Sequence, residues 1–298
     1  MTPTTGVRAA SLATLVAIWG TTWAVIRIGL GGIPPFTGVA LRFGIAGLVL
    51  WGAALAIGLR GPRLRAPWWL WTAQGLLTFG VSYGLVYWAE QWVPTGLTAV
   101  LFATFPLWVA VLAHVALPGE RMRPIGVLGL LIALGGVVLL FSQDLHSLGG
   151  SRVAFASAVL LLAPLSSAMA QIVVKRWGSA VHPVTLNAGS MVIASAVMGM
   201  LAFALERHRS MRFDATSVGS LLYLALLGTC VTFSLYFWLL RHMTATGLSL
   251  TAYAIPVVAV VVGALVFDEP VTPQLLLGGL LVVAGTALAA VRRSAASH

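Results

Sequence analysis

Two stretches of the chain, SYGLVYWAEQWVPTG at residues 82–96 and TFSLYFWLLRHMTATG at residues 232–247, share one pattern of aromatic, small and polar residues. Each begins inside a segment apolar enough to cross a bilayer. Other features return at nearly the same offset, about 150 residues: Arg27 as Lys175, Pro106 as Pro256, Glu120 as Glu269 and Pro124 as Pro273. The chain is therefore predicted to contain two copies of one unit, residues 1–147 and 148–298. Membrane proteins built from internal repeats are commonly carriers that bind substrate between the copies.

The composition indicates an integral membrane protein, because 59% of the residues are hydrophobic and 8% are charged. The charges separate apolar runs of about 20 residues, the length of a transmembrane helix. The pattern predicts an all-α fold with ten transmembrane helices, at residues 11–30, 37–59, 68–90, 95–117, 122–141, 152–175, 183–205, 215–241, 246–267 and 272–291. Five spans per copy is an odd number, so the two five-helix repeats are predicted to be inverted.

The distribution of basic residues predicts a multi-pass protein of the inner (plasma) membrane with cytoplasmic termini. On that topology, the cytoplasmic loops hold Arg8, Arg60, Arg63, Arg65, Arg121, Arg123, Lys175, Arg176, Arg241, Arg292 and Arg293, against Arg152, Arg207, Arg209 and Arg212 outside. We interpret the net charge of +10 as topogenic charge that contacts lipid headgroups, since no basic face suited to nucleic acid is formed. Arg27 and Arg42, near the outer ends of the first two spans, are predicted to reach the headgroups or, alternatively, to attract a substrate carboxylate.

Several kinds of chemistry lack a signature in this sequence. No Walker A lysine, zinc-ligand spacing or serine-nucleophile motif is present, and the single cysteine, Cys230, lies in a span. We therefore predict no enzymatic activity, no cofactor and no metal. The carboxylates fall at span ends or in loops, so a cation would find no counter-charge at the midplane and a neutral or zwitterionic substrate is favoured. His114, interpreted as deep in span 4, is either bonded to a neighbouring helix or linked to protons.

Aromatic and hydroxyl residues recur in both copies and are predicted to line a central cavity: Phe79, Tyr83, Tyr87, Thr98 and Phe102 in the first copy, and Phe233, Phe237, Ser249 and Tyr253 in the second. Because the copies are inverted, Tyr83 with Phe102 is predicted to form an outer gate, and Phe233 with Tyr253 an inner one. The alternative is that these side chains pack against helices or lipid.

The first span of each copy supplies further candidates for the cavity wall. Trp19 and Trp23 share a helical face, and the matching residues of the second copy are Ser167 and Gln171. An amide such as Gln171 suits either a zwitterionic substrate or a bond to a neighbouring helix. Bending is predicted at three prolines, which weaken a helix by removing a backbone donor: Pro106, Pro164 and Pro256. Glycines in spans 5 and 10 are predicted to allow close helix packing within each copy.

These residues resemble those of a known family. The run WGTTWAVIR from Trp19, Pro34-Pro35 and Leu41-Arg42-Phe43 are similar to the opening of an EamA-type carrier of the drug/metabolite transporter superfamily. Gly119-Glu120 and Asp268-Glu269, each followed by spaced glycines, resemble the end of an EamA repeat. The resemblance implies ten helices in two inverted repeats, with a cavity lined by spans 1–4 and 6–9. Within the family, the aromatic-rich core resembles that of aromatic amino-acid exporters of the YddG type.

The sequence therefore predicts a secondary transporter that exports small neutral or zwitterionic metabolites by alternating access. Aromatic and other large apolar amino acids are favoured as substrates; another metabolite class (nucleoside, vitamin or sugar derivative) or multidrug efflux stays open. An intramembrane enzyme would need paired Asp residues or a Ser–His set at the midplane. The predicted partners are the substrate and membrane lipids, without nucleic acid, and a monomer is favoured over a dimer. Proton coupling and facilitated transport both remain open.

Overall fold

The computed structural model describes residues 5–59, 67–118, 124–141, 150–245, 248 and 250–289. Within these ranges the regular elements are all helical, and none is a strand. In chain order they are α1 (Thr5–Leu30), α2 (Pro35–Ala56), α3 (Trp68–Gln74, Gly75–Ser82 and Tyr83–Ala89), α4 (Thr95–Phe102 and Phe105–Ala116), α5 (Pro124–Phe141), α6 (Ser151–Leu160 and Leu162–Trp177), α7 (Pro183–Glu206), α8 (Ala215–Ala225, Leu226–Val231 and Thr232–His242), α9 (Leu250–Tyr253 and Ile255–Phe267) and α10 (Pro273–Ala289).

The helices have the length and composition of membrane spans. Six stretches are long and apolar enough to cross a bilayer: Gly6–Leu30, Pro35–Ala56, Thr95–Ala116, Ser151–Trp177, Pro183–Glu206 and Ala215–His242. Shorter apolar helices occupy Pro124–Leu139, Ile255–Phe267 and Pro273–Gly285. The predicted all-α membrane fold is thus confirmed, while the number of crossings, ten, stays a prediction.

Several helices are interrupted rather than straight. α4 breaks between Phe102 and Phe105, α6 at Leu161, and α9 changes from a 3-10 turn to an α-helix at Ala254. The three predicted hinge residues, Pro106, Pro164 and Pro256, each follow such a break within the first turn of the new segment. Proline is tolerated there because its missing N–H would have no helical partner. α3 and α8 are instead widened by π-helical turns, at Gly75–Ser82 and Leu226–Val231.

The helices pack mainly between the predicted copies. α5 lies against α10 and α2 against α7, whereas α1 contacts α8 and α9, and α6 contacts α3 and α4. The glycines of α5 and α10 serve the contact between these two helices: a Cβ on Gly136 would lie 2.7 Å from the Gly278 carbonyl oxygen. The prediction that these glycines pack within each copy was therefore wrong, since their partner helix belongs to the other half.

Two carboxylates of the second half cap helices of the first. Glu206, at the end of α7, accepts hydrogen bonds from the backbone N–H groups of Phe36 and Thr37, at 3.0 and 2.8 Å. Glu269 accepts from the N–H groups of Thr95 and Gly96, at 2.7 and 2.9 Å. The first N–H groups of a helix have no partner within it, so these contacts stabilise the starts of α2 and α4.

Candidate functional site: a central aromatic cavity

A cavity of about 90 Å³ lies between α1, α3, α4, α6, α8 and α9. In this conformation it has room for a few water molecules and is smaller than the roughly 300–1,000 Å³ that is usual for small-molecule sites. The resemblance implied that spans 2 and 7 also line the cavity. They do not, because α2 and α7 pack against each other behind the helices that line it.

The cavity wall is mainly aromatic, with hydroxyl groups between the rings. The rings belong to Trp19, Trp23, Tyr83, Phe102, Phe105, Phe233, Tyr236 and Phe237, and the polar groups to Thr22, Thr78, Ser82, Ser167, Gln171 and Thr251. Among the described residues that form the wall, none is Asp, Glu, Lys, Arg or His. Such a wall offers apolar contact and a few hydrogen bonds, but no full charge.

Eight residues predicted from the sequence line this cavity: Trp19, Trp23, Tyr83, Phe102, Ser167, Gln171, Phe233 and Phe237. Phe79 is fully buried behind the wall, between Phe43 and Phe233, with both ring-centroid distances at 4.9 Å. Regular α-helical spacing placed Phe79 on the face of Tyr83, but the π-helical turn between them alters that register. Thr98 is fully buried as well, and Tyr87 contacts Arg42 instead. Ser249 and the side chain of Tyr253 lie outside the described residues.

Phe105, Tyr236 and several hydroxyl residues of the wall were not predicted from the sequence. A signal for them exists, because wall residues pair at an offset of 150: Tyr83 with Phe233, Val86 with Tyr236, Phe102 with Ala252, and Phe105 with Ile255. The predicted match of Phe102 to Tyr253 lies one residue away from this register.

The rings form a chain of contacts across the cavity. Trp19 contacts Phe233 and Tyr236 at centroid distances of 5.5 and 5.3 Å. Phe233 also contacts Tyr83, at 6.1 Å. Phe102 packs on Trp23 at 5.3 Å, rather than on Tyr83 as the predicted outer gate required. In this conformation the residues assigned to two separate gates therefore share ring contacts.

Polar groups of the wall bond to one another across helices. The Ser167 hydroxyl donates to Ser82 Oγ at 2.8 Å, and the Tyr236 hydroxyl donates to Gln171 Oε1 at 2.6 Å. Gln171 Nε2 donates to the Ala245 carbonyl oxygen at 2.9 Å. Of the two roles predicted for Gln171, this conformation shows the bond between helices.

Phe237, in the wall of the central cavity, also lines a second cavity of about 150 Å³. Lys175 and Arg241 line that second cavity. Lys175 Nζ donates to the carbonyl oxygens of Leu240 and Met243, both at 2.7 Å. We call this side of the molecule the Lys175 end. Phe237 therefore lines both the central cavity and a space lined by two cations.

The opposite side, which we call the Arg27 end, holds an ion pair between Arg27 and Glu269. Arg42 is fully buried; it donates to Thr229 Oγ1 at 2.8 Å and to the Gly228 carbonyl oxygen at 3.0 Å. The prediction that Arg42 reaches lipid headgroups was wrong, while the same prediction for Arg27 stays untested. Arg42 points into the bundle because α2 packs against α7 and α8, and Arg27 has a carboxylate within reach.

Two further ionisable groups lie near span ends. Glu90 follows α3 at the end of a span, as expected, and it is only 3% exposed. His114 lies on an exposed position in the last turn of α4, and its depth in the membrane stays a prediction. Hydropathy locates span ends but does not reveal whether a neighbouring helix covers them.

Helices of membrane-spanning length around a central cavity fit the class of multi-pass membrane transporters. The chain belongs to the EamA-like transporter family, whose model matches residues 7–142 and again residues 154–291. It is 29% identical over 273 residues to "Uncharacterized transporter YoaV" of Bacillus subtilis (strain 168), covering 90% of this chain and 91% of that one. It is 33% identical over 260 residues to "Uncharacterized inner membrane transporter YedA" of Escherichia coli (strain K12), covering 85% and 80%.

A third relative is named "Probable amino-acid metabolite efflux pump", from Escherichia coli (strain K12). It shares 28% identity over 283 residues, covering 91% of this chain and 90% of that one. A solved structure described as "Crystal structure of protein" matches with a TM-score of 0.72 at 23% identity, covering 96% of this chain and 98% of that one. At that identity the likeness establishes the fold alone.

Proposed function

We propose that the protein exports small neutral or zwitterionic metabolites across the inner membrane, with large apolar amino acids as the main substrates. The observation that carries this proposal is the aromatic wall of the central cavity. Rings give broad contact to an apolar side chain, about 0.5–1.5 kcal/mol per pair beyond simple burial. The hydroxyls of Ser82, Ser167 and Thr22 offer hydrogen bonds to the polar end of such a molecule.

The absence of ionised side chains from the described wall supports a substrate without net charge. A lipophilic cation would lose its hydration in this cavity without gaining a counter-ion, which is costly in a medium of low polarity. A zwitterion carries its own opposite charges close together. The relative named as an amino-acid metabolite efflux pump agrees with this choice.

The mechanism we infer is alternating access between two inverted copies, residues 1–147 and 148–298, with cytoplasmic termini. Two observations support a twofold relation between the copies, and an odd number of spans per copy would make them inverted. The family model matches once in each copy. The packing is also reciprocal: α1 contacts α8 and α9 just as α6 contacts α3 and α4, and the matching helices α2 and α7 pack together. The breaks before Pro106 and Pro256 give each copy a place to bend.

Counterflow in proteoliposomes tests the proposal directly. Vesicles loaded with unlabelled L-phenylalanine should take up labelled L-phenylalanine, and leucine or tryptophan should compete. Phe233→Ala should reduce this exchange, whereas Phe203→Ala, which removes a 70% exposed ring on α7, should not. Inhibition by quaternary ammonium compounds but not by amino acids would assign the protein to drug efflux. Competition by a nucleoside, vitamin or sugar derivative alone would assign it to another metabolite class.

A further inference from the structure

Glu90 is a buried carboxyl group that the cavity does not use. It directly follows α3, is 3% exposed, and neither of its carboxyl oxygens has a hydrogen-bond partner within the described structure. Its side-chain oxygens are also inaccessible to solvent. A carboxylate in such a place would lose its hydration without a hydrogen bond in return, which favours the neutral carboxyl group.

The cations near Glu90 already have partners. Glu90 interacts electrostatically with Arg27, Arg42 and Glu269. Arg27 is paired with Glu269, and Arg42 donates to Thr229 and to the Gly228 carbonyl oxygen. Glu90 is thus a second carboxyl group near Arg27, whose guanidinium is already paired with Glu269.

The remaining ionisable groups around Glu90 do not replace those partners. On its own helix, Tyr87 interacts with it and bonds to Arg42 at 3.3 Å. α6 also packs against this part of α3, and its cation Arg152 lies over the ring of Trp92, 5.8 Å from the centroid. A change in the charge of Glu90 would therefore act first on the ion pair between Arg27 and Glu269.

This cluster adjoins the central cavity. Val86, one turn before Glu90, and Ile26, next to Arg27, both line the cavity. Glu269 in turn caps the first residues of α4, the helix that carries Phe102. A movement of Glu269 away from Arg27 would therefore displace both the start of α4 and the cavity wall.

We propose that Glu90 is a proton-binding site that controls closure of the Arg27 end during the alternating access described above. When this end opens, the Glu90 O–H bond breaks and its proton passes to water. The new carboxylate then takes the Arg27 guanidinium from Glu269 and holds the end open. Closure requires a proton from the same aqueous phase, which restores the neutral Glu90 and returns Arg27 to Glu269.

The first test follows the Arg27 end without any substrate. Ser210 and Val271 are exposed, and the backbone bond from Arg212 to Gly32 ties the first of them to the end of α1. Cysteines at these two positions, with Cys230→Ala, would carry spin labels. As pH rises, the population with the long label distance should grow. If opening releases one proton, the ratio of the long-distance to the short-distance population should rise by about tenfold per pH unit.

Variants at Glu90 decide the assignment. Glu90→Gln has the shape of the neutral carboxyl group, so the labels should keep the short distance at every pH. Glu90→Leu, which copies Leu240 at the matching position of the second half, should do the same. Glu206→Gln removes another buried carboxylate, one with three hydrogen bonds, and should retain the wild-type titration. A wild-type distance that ignores pH, or a Glu90→Gln protein that titrates like wild type, would overturn the proposal.

A second measurement separates this inference from the proposed substrate. Phenylalanine counterflow, with equal pH on both sides of the vesicle, should pass through a maximum as pH is varied in the wild type, because opening needs the Glu90 carboxylate and closure needs its proton. Glu90→Gln, held closed at the Arg27 end, should exchange at a strongly reduced rate at every pH. A Glu90→Gln protein with the rate and pH profile of the wild type would also contradict the role of Glu90. If the wild type exchanges no phenylalanine, the substrate proposal fails, and the label distances alone decide the role of Glu90.

Discussion

The Arg27 end and the Lys175 end occupy matching positions of the two copies but differ in charge. Arg27, Arg42 and Glu90 correspond to Lys175, Ser190 and Leu240. At the Arg27 end these side chains and Glu269 form a charged network, whereas Lys175 donates to main-chain carbonyl groups. A similar backbone can therefore close its two ends by different interactions, one through ionisable side chains and the other through the main chain and apolar packing.

The strongest test of this difference is Arg42→Ser, which introduces at position 42 the serine that the second copy has at the matching position, Ser190. It removes a fully buried guanidinium and leaves Thr229 and Tyr87 without their donor. We expect a loss of about 3 kcal/mol in the free energy of unfolding, measured in mixed micelles.

Ser190→Ala is the matched control at the other end. The Ser190 hydroxyl is buried without a partner, so its removal should change the free energy by about 1 kcal/mol or less. Equal losses in the two variants would show that Arg42 fills space rather than organises the network.

Glu269→Gln should have the next largest effect. The amide oxygen can still accept from the start of α4, but the ion pair with Arg27 is lost. Because Arg27 is 37% exposed, we expect about 1–2 kcal/mol of destabilisation, together with a longer distance between labels at Ser210 and Val271. Asp268→Asn, at the exposed neighbouring residue, should change neither quantity. A normal label distance in Glu269→Gln would mean that other contacts close this end.

Trp19→Ala probes the cavity wall between the two ends. The indole contacts both Phe233 and Tyr236, so we expect a loss of about 1–2 kcal/mol in substrate binding, or roughly 5–30-fold. Competition in the phenylalanine counterflow assay measures this loss. Trp69→Ala removes a ring outside the cavity, packed on Trp177, and should leave the affinity unchanged. Equal affinities for both variants and wild type would remove Trp19 from the site.

Lys175→Met should have the smallest effect, about 1 kcal/mol in unfolding free energy, because each carbonyl that loses its donor lies near the helix end. Its pH profile in the label experiment should match that of the wild type. Arg176→Met, at the adjacent cation, is the control. A changed pH profile in Lys175→Met would show that both ends contain titrating networks. The two ends would then not differ in how they close.

The sequence predicted the helices well and the environment of single residues less well. Apolar runs and prolines marked the helix limits because both act locally. The length of an apolar run matches the thickness of a bilayer, and a proline removes a backbone hydrogen-bond donor. Tyr83 and Phe233 were found because the repeat and the helical spacing agreed, and Trp19 because it shares a helical face with Trp23. Phe79 was misplaced because a π-helical turn changes the register without a strong local signal.

The charged residues were the main failure, for a different physical reason. Whether Arg42 or Glu90 is buried depends on which helix lies opposite, and that partner can be distant in sequence. Arg42 bonds to Thr229, 187 residues later, and such a pairing cannot be inferred from hydropathy near residue 42. The repeat did contain a hint, since Arg42 and Glu90 of the first copy correspond to a serine and a leucine in the second.

The same bond has a consequence for biosynthesis. Both side-chain and main-chain acceptors of Arg42 on α8 are synthesised long after α2 enters the membrane. During that interval the arginine lies in a helix without these partners, at a cost of about 2.5–3.5 kcal/mol for insertion. The first half therefore cannot complete its packing around Arg42 until α8 has been synthesised and inserted.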